Sequence, residues 1–148
     1  MKRMVLVLAA LLSVLACTGE RPAPEKTVIE NYRALEAEDA EAYRQTVGGA
    51  RASVADTLLE ELFNDYDVTY EIDTIELLSM VGDVAQVRTV VTARDVGGPN
   101  KYHDNNMEAV HKLKYENGSW RIHFTEVGRP KLGSPEVRTG RTSRDTSR

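Results

Sequence analysis

His111 and Glu126 are the residues of this chain best suited to proton transfer. His111 interrupts an alternating series of apolar residues, Met107, Ala109, Leu113 and Tyr115, and so belongs to the inner side of an extended segment. A histidine on such a face can act as a general base near neutral pH. Held by one hydrogen bond, it can equally be a neutral core residue. Burial without a charged partner predicts the neutral form and a lowered pKa. Glu126 continues the phase of Trp120, Ile122 and Phe124, which puts it on a neighbouring strand, where it can orient His111 or simply reach solvent. Tyr32, Tyr70, Met107, His111, Tyr115 and Trp120 are the candidate lining of a cavity, although tyrosines at such periods are also ordinary core residues with satisfied hydroxyls.

Other chemistries lack their residues. His103, His111 and His123 have no ligand-like spacing, His123 has the opposite phase to His111, and a single cysteine argues against a zinc site, so no metal or cofactor is expected. No Gly-x-Ser-x-Gly elbow occurs, and Gly97-Gly98 precedes neither a helix start nor a phosphate-binding lysine. Glu36, Glu38, Asp39 and Glu41 form an acidic cluster that reads as a solvated helix end or as an attraction for a cation or basic partner.

Cys17 follows Lys2-Arg3, an apolar run from Met4 to Leu12, and Val14-Leu15-Ala16. That run is too short for a stable membrane span and has the layout of an export signal. The segment resembles a bacterial lipoprotein signal, in which the cysteine is acylated and becomes the new N-terminus. The resemblance implies a signal peptide over residues 1–16, lipidation at Cys17 and attachment to a membrane of the cell envelope. Thr18, where an aspartate would favour inner-membrane retention, leans towards the periplasmic face of the outer membrane. Thr18 to Pro24, with two prolines and no apolar period, reads as a tether that lets the domain stand clear of the membrane.

Residues 25–128 form one domain with a core of its own, and residues 129–148 a basic disordered tail. Acidic residues outnumber basic ones roughly two to one over residues 17–128, which excludes nucleic acid as a partner. The elements that must position His111 follow from the change of period. Val28, Tyr32 and Leu35 share a helical face; Ala40, Tyr43 and Val47 make a second short helix ended by Gly48-Gly49. A third helix opens at Ser53, with Val54, Leu58 and Leu62 as its apolar side and Leu59 and Phe63 beside them.

From Tyr66 the pattern alternates. Val68, Tyr70 and Ile72 hand over to Ile75 and Leu77 in opposite phase, which predicts a bulge at Asp73-Thr74. Gly82-Asp83 turns into a strand whose inner face is Ala85, Val87, Thr89, Val91 and Ala93; Asn117-Gly118 joins two further strands. The last places Trp120, Ile122 and Phe124 inward and Arg121, His123 and Thr125 outward. Helices gathered before an antiparallel sheet define an α+β domain: three N-terminal helices on a strongly curved four-stranded antiparallel sheet.

The helix from Val28 to Tyr43 with its acidic break, and the closing stretch Glu116-Asn-Gly-Ser-Trp-Arg-Ile-His123, resemble the nuclear transport factor 2-like (SnoaL-like) domains over residues 25–128. There is little room for an early strand pair, so the chain is similar to a reduced version of that fold. The resemblance implies a cone-shaped cavity and dimers through the sheet, with no single function, since its members include isomerases, dehydratases and noncatalytic binders. The expectation is a noncatalytic, lipid-anchored envelope domain that binds a small apolar molecule or a protein. Alternatives are an assembly component that dimerises through the outer sheet face, and an isomerase or dehydratase using His111.

Overall fold

The computed structural model of the protein describes residues 20–128 and the backbone of residues 131–132; the signal segment, Cys17 and the rest of the tail lie outside the described residues. Helix α1 (Pro24–Glu36) starts with a proline, whose missing N–H would be unpartnered there in any case, and carries Glu25 in its first turn and Arg33 in its last, as the helix dipole favours. It ends where Glu38 adopts a left-handed φ of 53°. Asp39 then caps α2 (Ala40–Thr46), its Oδ1 accepting the Ala42 N–H at 2.9 Å. Three members of the acidic cluster are thereby engaged within the chain. Besides Asp39, Glu36 accepts the backbone N–H of Tyr70, and Glu41 pairs with Arg44.

Helix α3 (Gly49–Asp65) begins before the expected Ser53, after Gly48. The reason is steric. A Cβ on Gly48 would lie 2.6 Å from Glu116 Oε1, and one on Gly49, whose φ is +57°, would lie 2.8 Å from His123 Nδ1. Gly49 in particular, left-handed and with the His123 ring where a Cβ would stand, lets the helix start against that strand. The inward stripe is Ala55 and Leu59 with Phe63 beside them, whereas Val54 and Leu58 are exposed. The expected apolar face is therefore rotated by one position, because the small Ala55 faces the protein interior and its neighbour Val54 turns out. No described helix is long and apolar enough to cross a membrane.

Strands β1 (Val68–Val81), β2 (Val84–Asp95), β3 (Asn105–Glu116) and β4 (Ser119–Val127) form an antiparallel sheet in that order. The tail adds one unexpected piece, β5 (Lys131–Leu132), which pairs with Asn105 and Asn106 on β3. Asn117 and Gly118 both have positive φ, 51° and 82°, as a two-residue hairpin turn requires. The predicted bulge lies between Ile72 and Thr74, and a second occurs between Leu77 and Ser79.

A further register shift in the β3–β4 pair changes the site. Leu113 faces Ile122 but Lys112 faces Phe124, leaving His123 as the extra residue. Beyond it, inside and outside are exchanged. Phe124, expected inward, is 53 % exposed with the Lys112 ammonium 5.3 Å from its ring centre. Thr125, expected outward, faces His111.

The core is otherwise as the alternation predicts, with Val28, Tyr43, Leu59, Val87, Val91, Leu113, Trp120 and Ile122 buried together. Trp120 donates its indole N–H to the Pro22 carbonyl at 2.8 Å, and Arg21 lies over the Tyr115 ring. From Arg21 onward the expected free tether is thus docked on the domain.

Candidate functional site

β2, β3 and β4 bring Thr89, His111 and Thr125 side by side on the inner face, and α1 lays Tyr32 across them. His111 is 2 % exposed. Its Nε2 is 3.1 Å from Thr89 Oγ1 and 3.4 Å from the Tyr32 hydroxyl; its Nδ1 is 3.0 Å from Thr125 Oγ1. A neutral imidazole has one donor and one acceptor nitrogen, so one threonine accepts from it and the other donates to it. Burial, with the charge of Arg51 adding to it, pulls the His111 pKa down to about 4. Burial raises Tyr32, against the opposing effects of the Thr89 hydrogen bond and Arg51; burial also raises Tyr70.

The remaining space beside His111 is about 160 Å³, bounded by Asn31, Tyr32, Arg51, Tyr70, Met107 and Thr125 among others. That is below the ~300–1,000 Å³ of ordinary ligand pockets. No carboxylate lines it. Asn31 is committed to Thr46 at 2.7 Å, and Arg51 donates to the Tyr43 hydroxyl at 3.2 Å.

Of the residues expected around His111, the structure brings Tyr32, Tyr70 and Met107 to it. Tyr115 and Trp120 do not line this cavity; their rings pack on each other edge to face, 5.2 Å apart, with Arg21 over Tyr115. Glu126 is on the outer side, opposite Val110 and exposed, so a His111–Glu126 dyad does not form. The register shift at His123 is the cause. Arg51, Asn31 and Thr125 were missed by sequence reasoning. Arg51 stood before the expected helix start, and only the Gly48-Gly49 pair signalled that α3 could begin early enough to carry it inward. Among the described residues no group of His, Cys, Asp and Glu is arranged to hold a metal ion.

A larger concavity, about 700 Å³, runs between α1 and β1. Ile29, Arg33 and Glu36 form one wall; Tyr70, Ile72 and Ile75 form the other. Tyr32 and Tyr70, with ring centres 5.7 Å apart, line both this groove and the inner cavity and so separate them. On the outer sheet face two arginines are matched across strands: Arg88 lies 2.9 Å from Glu108 and 3.7 Å from Glu76, and Arg94 3.4 Å from Glu71.

Three helices over one face of a four-stranded antiparallel sheet, with a residual cavity between them, define the nuclear transport factor 2-like fold. The family model for the C-terminal domain of the anti-sigma-I factor RsgI9 matches residues 26–130, and the chain belongs to that family. No curated protein matches it in sequence. Solved structures share the fold at low identity. A candidate aromatic ring hydroxylase from Novosphingobium aromaticivorans is 12 % identical with a TM-score of 0.64, over 70 % of this chain and 83 % of that one. A candidate dehydratase of the nuclear transport factor 2-like family from Streptomyces avermitilis is 14 % identical with a TM-score of 0.59, over 73 % and 94 %. A candidate ketosteroid isomerase from Shewanella frigidimarina is 15 % identical with a TM-score of 0.58, over 72 % and 95 %.

Proposed function

We propose that this chain is an exported, lipid-anchored domain that binds a small, largely apolar molecule in the α1–β1 groove without transforming it. The observation that carries this reading is the contrast between the two concavities. The inner one is small, has no carboxylate, and engages both nitrogens of a histidine whose pKa is about 4. Such a base is weak, and no acid partner accompanies it. The groove has the volume of a ligand site, apolar residues on both walls at Ile29, Ile72 and Ile75, and polar groups at Arg33 and Glu36 to fix orientation.

The family is named for the C-terminal domain of an anti-sigma factor, a regulator, which favours binding over turnover. The isomerase and dehydratase names among the structural neighbours support only an alternative enzymatic reading, through His111. An assembly role through the outer sheet face draws less support, because Arg88 and Arg94 at its centre are already paired with carboxylates within the chain. The anchor is read from the Cys17 signal pattern.

Titration with anilinonaphthalene sulfonate tests the groove. Saturable binding at one site that is lost in Ile72→Glu, with the melting transition retained, is the expected result. Absence of saturable binding, or binding indifferent to Ile72→Glu, overturns it. Partition of the wild type into detergent, with release or failed processing of Cys17→Ser, tests the anchor; equal solubility of the two overturns it.

A further inference from the structure

We infer that the β1–β2 hairpin tip is the surface on which the domain rests against the lipid bilayer holding the Cys17 anchor, an inference that depends on the anchored reading above. Leu78, Met80, Val81 and Val84 surround the turn at Gly82, with Met80 53 % and Val81 78 % exposed. Single exposed apolar side chains are ordinary, but here four are clustered in space and sequence around one turn.

The one charge in that stretch, Asp83, is paired with Arg21 at 2.8 Å, and the same Arg21 Nη1 donates to the Gly82 carbonyl at 3.1 Å. The guanidinium also lies 4.5 Å from the Tyr115 ring centre, and the next carbonyl, that of Pro22, accepts the Trp120 N–H. The chain therefore leaves the fold pinned at the hairpin turn. Cys17 precedes Arg21 by four residues, which span at most ~14 Å fully extended. Acyl chains on Cys17 enter the bilayer within that distance, plus the length of the Arg21 side chain, of the apolar tip.

Lys114, opposite Val84 in the sheet register and exposed, flanks the tip with a charge suited to lipid phosphates. The second hairpin turn, Asn117-Gly118, and the start of α1 lie at the same end of the sheet, whereas the Gly97–Asn100 connection lies at the other. Thus the segment after Cys17 holds the domain down on the membrane instead of lifting it clear, and fixes which end faces the lipid.

The test uses the full-length protein processed in its host and reconstituted into vesicles of phosphatidylethanolamine and phosphatidylglycerol. Val81→Cys and, at the far end, Asn100→Cys are labelled with nitrobenzoxadiazole, and quenching by doxyl-labelled lipid is measured after flotation. The expected result is flotation of both proteins, with blue-shifted emission and several-fold stronger lipid quenching at position 81 than at 100. Flotation with equal quenching at the two positions overturns the resting surface and leaves the anchor standing. Failure to float overturns the anchor, and this inference with it.

Discussion

Thr125 Oγ1 sits 3.0 Å from His111 Nδ1, on the inner side of a strand whose strict alternation would have turned it outward. Together with Thr89 it saturates the imidazole, and that saturation governs how His111 behaves.

His111 should titrate far below an ordinary histidine, near 4, in a histidine-resolved NMR titration. Because the folded pKa lies below the unfolded value of about 6.5, the unfolded chain binds the extra proton first. The stabilisation from neutral His111 is complete above about pH 6.5 and is lost as pH falls towards 4, on the order of 3 kcal/mol in all. Urea unfolding against pH reads this directly, and His111→Gln should flatten the slope in that window. A solvent-like titration would place the residue outside.

Thr89→Val keeps the shape of a wholly buried side chain but leaves His111 Nε2 with only the longer Tyr32 contact. The expected loss is about 1–3 kcal/mol in chemical denaturation. An unchanged midpoint would mean that the threonine is not a partner of the ring.

Trp120 and Phe124, two aromatic residues four positions apart on one strand, should respond very differently. Trp120 is 1 % exposed, so Trp120→Ala should cost about 3–5 kcal/mol. Phe124→Ala, on the outer face beside Lys112, should stay within about 1 kcal/mol. Equal losses would contradict the register shift at His123.

Gly49→Ala combines a left-handed φ with a Cβ placed against the His123 ring, and about 1–3 kcal/mol of destabilisation is expected. His123→Ala should recover part of it, leaving only the backbone component. A double-mutant cycle without coupling would show that the ring does not press on the helix start.

Much of this fold was legible because its signals were periodic. The phase slip from Ile72 to Ile75 announced the first bulge, since apolar residues on both sides of Asp73 could be buried only if a residue were inserted. The bulge at His123 left no such trace. Trp120, Ile122 and Phe124 alternate without a fault, and nothing local distinguishes a phenylalanine facing the core from one lying on a lysine stem. That slip hid Thr125 and misplaced Glu126. The start of α3 was hidden for another reason: Ser53 and Asp56 imitate a cap, whereas the decisive fact is how near His123 and Glu116 come to Gly48 and Gly49. Val54 and Leu58 are as apolar as the residues that are buried, so the choice of face was made by tertiary packing.

The two kinks in β1 carry a consequence for crowding. β1 is the terminal strand of the sheet and the longest, and a straight strand in that position would offer a continuous template on which neighbouring molecules could stack into fibrils. The insertions after Ile72 and after Leu77 break its hydrogen-bonding repeat into short lengths, and the Glu36 carboxylate occupies the Tyr70 N–H. No run of unpaired amides matches a partner strand for more than a few residues. Neighbouring molecules are thereby kept from zipping together edge to edge.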